Sequence, residues 1–132
     1  MSDLQNYNEE TQELFLRFLL SDNDLFARCQ NIVRPEYFNM KYRPIVKLFQ
    51  SHATDFNSIP TPEQVSAASG IDLETIPNVT ADHHEWFLKE FEIFCRHKAL
   101  EKAIIESTDL LENQDYGTVE NKIKDASQVG LV

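Results

Sequence analysis

The chain has 132 residues, 42% of them hydrophobic and 26% charged, with 22 acidic against 12 basic side chains and a formal charge of −10. That length suits one domain with its own core, and three glycines, five prolines and two cysteines exclude collagen-like, low-complexity and disulfide-scaffold classes. Residues 1–82 carry 6 basic and 12 acidic side chains and residues 83–132 carry 6 and 10, so neither half is a hidden basic domain and neither should hold nucleic acid by charge alone.

The five prolines all precede residue 78, which divides the chain into a punctuated first part and a second part able to run as long helices. Leu14, Phe15, Phe18 and Leu19 form a stripe at helical spacing over 10–20. Asp22 can cap a second helix with Leu25, Phe26, Cys29, Ile32 and Val33 inward, and Pro35 ends it. Tyr37 and Phe38 fall in a short turn. The spacing predicts a third helix from about Lys41 to Ala53, with Pro44 in its first turn and Ile45, Val46, Leu48 and Phe49 as its apolar face. Thr61-Pro62-Glu63-Gln64 reads as a cap, a first-turn proline and a capping box. Gly70 then takes the left-handed stop, and one further helical turn is expected at Leu73–Ile76.

Asp82-x-x-Glu85 reads as another helix start, and residues 83–113 lack Gly and Pro entirely. That is roughly 46 Å of helix at 1.5 Å per residue. Trp86, Ile93, Leu100, Ile104 and Leu111 share one face at seven- and four-residue steps, and Phe87, Phe91, Phe94 and Cys95 share a neighbouring one. A helix apolar over so much of its circumference needs neighbours on both sides. Its first half should be clamped by the small helices and its second half should project. Tyr116-Gly117 signals a turn, and Thr118 caps a last helix in which Val119, Ile123, Ala126 and Gly130 align. Folded back, that helix lays Val119 and Ile123 against Leu111 and Ile104. The expected fold is all-α, a small globular helical bundle (1–82) with a projecting antiparallel helical hairpin (83–132). Ala103, Ile105 and Leu110 then remain exposed. The pattern leaves open whether they mediate self-association or fold back as ordinary core.

Sites of chemistry are scarce. No GxxxxGK[ST] or HExxH occurs. The adjacent His83 and His84 do not converge like an i, i+4 metal pair and read as capping or exposed groups. His97 lies beside the apolar stripe without a nucleophile and supporting acid, and Cys95 sits on the crowded phenylalanine face as packing. No catalytic residue, cofactor or metal is therefore expected. Arg34, Lys41, Arg43 and Lys47 form one local basic patch, read chiefly as a solvated face and otherwise as a weak contact for nucleic acid or a partner. No apolar run suits a membrane span, and the polar start is unlike a signal peptide. Cys29 and Cys95 lack CxxC spacing and read as reduced thiols, so a cytoplasmic protein is expected.

The order LFLRFLLSDNDLFARC, VRPEYFNMKYRPIVKLFQ, SIPTPEQV, DHHEWFLKEFEIFCRHKALEKAI and TVENKIKDASQVGLV resembles the N-terminal domain of DnaB-type replicative DNA helicases, nearest the T4-type phage branch. The resemblance covers nearly all of residues 10–132, though none of its segments is a catalytic signature. It implies a helical bundle whose hairpins pair between subunits to build a collar on a hexamer. Primase and a helicase loader dock there, in the host cytoplasm for a phage protein. ATP and Mg²⁺ would serve a separate motor domain, absent here. It raises the expectation of self-association through a hairpin of Ile104, Leu111, Val119, Ile123 and Ala126, supported by Trp86, Ile93, Leu100 and Ala103. The alternative is a free-standing phage helical adaptor or regulator that uses the same stripe on a host or replication protein.

Overall fold

The structure, a computed structural model, describes residues 7–130; the ends of the expected 1–82 and 83–132 segments lie outside them. The described residues form helices and no strands: α1 (Glu9–Ser21), α2 (Asn23–Cys29), α3 (Arg43–Phe56), α4 (Pro62–Ser69), α5 (Ala81–Glu112) and α6 (Tyr116–Ser127), with 3₁₀ turns at Pro35–Tyr37 and Met40–Tyr42 between α2 and α3. Among these residues no helix is long and apolar enough to cross a membrane.

Local chemistry sets most helix starts. Asp22 accepts the Leu25 N–H at 3.1 Å and so caps α2, with its short side chain standing in for the missing turn. Thr61 and Gln64 make the reciprocal capping box, Pro62 opens α4, and Gly70 closes it at φ 73. The long helix begins two residues earlier than its charge pattern suggests. Thr80, not Asp82, is its cap, and the His83 ring takes the place of a Glu or Gln by accepting the Thr80 N–H at 3.2 Å. Leu73–Ile76 forms no helical turn. There, Ile76 N–H donates to Ser21 Oγ and Arg17 Nε donates to the Glu74 carbonyl. These bonds to α1 take up backbone groups that a helix would have paired internally.

The core is an aromatic wedge. Phe15 and Phe18 of α1 meet Phe87 and Phe91 of α5, with Phe15–Phe87 edge-on at 5.7 Å and Phe87–Phe91 stacked at 5.0 Å. Phe38 closes on Phe94 at 5.3 Å, and Phe26 stacks on Phe49 at 5.4 Å on the far side. Cys29 and Cys95 are both fully buried in this one core. Each such phenylalanine contributes roughly 1.5–3 kcal/mol by leaving water. The wedge grips the first four turns of α5, and beyond Ala99 the helix buries only Ala103 and Ser107.

Candidate functional site

From about Arg96 onward α5 packs chiefly on α6, with the Pro35–Tyr37 turn reaching Lys102 through Glu36. The reversal is made by Asn113–Asp115, where Gln114 takes the left-handed φ of 58 and Asp115 N–H donates to the Leu110 carbonyl at 2.8 Å. Tyr116 and Gly117, expected as the turn, form the first residues of α6, and Asp115 is its cap in place of Thr118. The helices run antiparallel. Lys122 pairs with Glu106 at 3.3 Å, and Arg96 Nε donates to the Val129 carbonyl at 3.0 Å. Asn31 Nδ2 ties the Gly130 carbonyl back to the body at 3.1 Å.

The seam between α5 and α6 differs from the one expected. Ala126 is buried, and Val119 and Ile123 are half-buried. On α5 the residues inside are Ala99, Ala103 and Ser107, whereas Ile104 and Leu111 point away, 61% and 51% exposed. Ala103, expected both as hairpin support and as exposed remainder, is therefore an interior residue. Steps of three and four along a helix hold one face, and Ala99, Ala103 and Ser107 follow Arg96 at steps of three, four and four. Because Arg96 and Asn31 anchor the end of α6, α6 must lie on that face. Small side chains let the backbones approach, and Ser107 Oγ turns inward to the Ala103 carbonyl at 2.6 Å.

The displaced stripe is the main feature of the surface. Trp86 and Leu100 are half-buried against the core, Ile93 is 41% exposed, and Ile104 and Leu111 complete a run at seven- and four-residue spacing. His97 lies in the same stripe, touching the Tyr7 ring at 5.1 Å and Glu101 at 3.6 Å. Ile105, as expected, is exposed. This is the a/d spacing of helices that pair, and no other element of the described residues covers its outer half.

The basic patch is divided. Lys41 pairs with Glu9 at 2.7 Å, and Lys47 stands exposed on α3. Arg34 and Arg43 flank the Pro35–Tyr37 turn, where Arg43 Nε donates to the Phe38 carbonyl at 3.2 Å. The four do not form one cationic surface.

Metal-type donors converge once among the described residues, at Asp22, Asp24 and His84. His84 Nε2 bonds Asp22 Oδ2 at 2.8 Å, Asp22 Oδ1 caps α2, and Asp24 pairs with Arg28 at 3.3 Å. The fold already employs these donors to tie the start of α5 to the start of α2. Burial pushes the Asp22 carboxyl up, but the His84 bond, the Leu25 N–H and the His84 charge outweigh it, and the net shift is downward. Burial pushes the Cys29 thiol up to about 12 and Cys95 upward as well, which keeps both as unreactive thiols.

The geometry therefore offers surfaces for association: a bare apolar stripe and a divided set of cations. Compared with protein-family models, with curated proteins and with solved structures, the chain matches none.

Proposed function

We propose that the chain is the assembly domain of a hexameric replicative DNA helicase, forming a collar through its hairpin and offering a docking surface to primase or a helicase loader. The observation that carries this reading is the outward stripe of Ile93, Ile104 and Leu111 on a helix whose base is locked into the core. Each large side chain left in water forgoes roughly 1.5–3 kcal/mol of burial, which pairing with a neighbouring subunit recovers. The rigid base fixes where the stripe points, as a collar requires. In this reading the acidic chain is a scaffold, not a DNA grip, and ATP-driven motion belongs to a motor domain joined after it.

Sedimentation equilibrium of the chain tests the association. Wild type should populate dimers or larger species and Ile104→Asp should run as a folded monomer; wild type remaining monomeric at high concentration would remove the collar. The helicase assignment has its own test, reading the gene past codon 132. A linker followed by GxxxxGK[ST] supports it, and a stop codon favours the free-standing adaptor.

A further inference from the structure

We infer that the groove between the Pro35–Tyr37 turn and the hairpin binds an acidic peptide segment of a partner protein, gripped by Arg34 and Arg43. This deepens the docking half of the function proposed above and rests on it.

Two concavities meet at this place. One, of about 420 Å³, opens between the turn and α5 and is lined by Arg43, Phe38 and Ile105 among others. The second, of about 330 Å³, continues toward α6 and is lined by Arg34, Ala99 and Ala103 among others. Both include Glu36, Tyr37, Lys102 and Glu106 in their walls, so they adjoin end to end. The shape suits an extended segment, whereas a small molecule is usually enclosed on most sides.

The charge here departs from the rest of the molecule. Together the two linings hold five cationic side chains and four carboxylates, where the whole chain carries 12 and 22. The lysines are answered locally: Lys102 by Glu36 at 3.7 Å, Lys98 by Glu101 at 3.6 Å and Lys122 by Glu106 at 3.3 Å. The arginines are not. Among the described residues no carboxylate pairs with Arg34 or Arg43, and Arg43 uses only Nε, on the Phe38 carbonyl. Each arginine therefore lines the groove with guanidinium donors that no carboxylate takes up, and a guanidinium fork matches a carboxylate with two parallel hydrogen bonds. One arginine per lobe asks for two carboxylates set apart along the ligand. Ile105, 67% exposed, lines the Arg43 lobe together with Phe38 and offers an apolar seat there.

A nucleic acid fits this arrangement poorly. Its evenly spaced phosphates would meet the four wall carboxylates as well as the arginines. A peptide can place its acids at the two arginines and an apolar residue on Ile105.

The test is a titration of the ¹⁵N-labelled chain with a short synthetic peptide bearing Asp and Glu on either side of Leu and Phe. Amide shifts should gather in residues 34–43 and 98–106. Arg34→Glu combined with Arg43→Glu should weaken binding by about tenfold or more, the size expected for losing charged hydrogen bonds. Lys47→Glu, outside the groove, should bind as wild type does. If the double variant loses its dispersed spectrum, the single Arg34→Gln change at an exposed side chain gives the reading, with a weaker loss expected. The inference is overturned if a Lys-substituted peptide or oligothymidine binds equally well, or if the arginine variants bind like wild type. Sedimentation of the same samples separates this from the collar. Association without peptide binding overturns the groove alone, and peptide binding by a chain that stays monomeric supports the groove and overturns the collar.

Discussion

Asn8, Asp22, Thr61 and Thr80 each accept a backbone N–H at a helix start, and each replaces a bond the first turn cannot make for itself. Thr61→Ala should cost about 1 kcal/mol, the usual value for a cap, read from the midpoint of urea unfolding with the slope unchanged. Asp22 has a second role through His84. Its carboxyl titrates below the ordinary 3.8, so the native state holds the charged form more tightly than the unfolded chain does. That contribution is complete above the unfolded value and is lost as pH falls through the lower folded one. Asp22→Asn should therefore lose stability at pH 7 and lose less than wild type does on going below about pH 4, as measured by unfolding free energy at the two pH values. At Cys29 and Cys95, fully buried with raised pKa values, a disulfide reagent such as Ellman's should react only when the core opens. Labelling faster than unfolding would contradict the packing described.

Helix α5 shows how one element serves two neighbours and leaves a third side bare. Its phenylalanine face goes to the body and its alanine–serine face to α6. Ala103→Leu should overfill the seam and destabilise the hairpin by roughly 1–3 kcal/mol, seen as faster amide exchange in α6 than in α1. Ile104→Asp should leave hairpin exchange unchanged, because Ile104 lies outside the seam, while abolishing association. This pair of outcomes distinguishes the seam from the stripe. The sequence marked both apolar faces of α5 correctly, yet its largest residues drew the seam to Ile104 and Leu111. Hydrophobic size indicates that a side chain wants a neighbour, and it does not say which neighbour arrives. Ala103 and Ser107 carry a weak apolar signal because close helix contact selects for smallness. The four-residue spacing of the small side chains Ala99, Ala103 and Ser107, which starts three residues after Arg96, was the available clue, and it becomes meaningful only once Arg96 is seen holding Val129.

Across the whole molecule, a charge of −10 sets the terms of any association. Self-repulsion between acidic subunits is screened by salt, whereas apolar burial is not weakened by it. Dimerisation through the α5 stripe should therefore hold or tighten between low and physiological ionic strength, and binding of acidic peptide in the arginine groove should weaken over the same range. Sedimentation and titration at two salt concentrations would read the opposite signs.

The capping box at Thr61, the left-handed stop at Gly70, the Asp22 cap and the inward run of Leu25, Phe26, Cys29, Ile32 and Val33 were legible in the sequence because each depends on neighbours a few residues away. So was the all-helical class, through apolar spacing and the proline-free second half. Tertiary structure alone decided the rest. Ser21 and Arg17 drew Leu73–Ile76 out of a helical turn, Arg96 and Asn31 chose the face on which α6 lies, and the Pro35–Tyr37 turn set Arg34 and Arg43 in two adjoining lobes of one groove. The reason is physical: local bonds are specified by residue type at fixed separation, whereas the choice among several apolar faces depends on which one a distant anchor brings into reach.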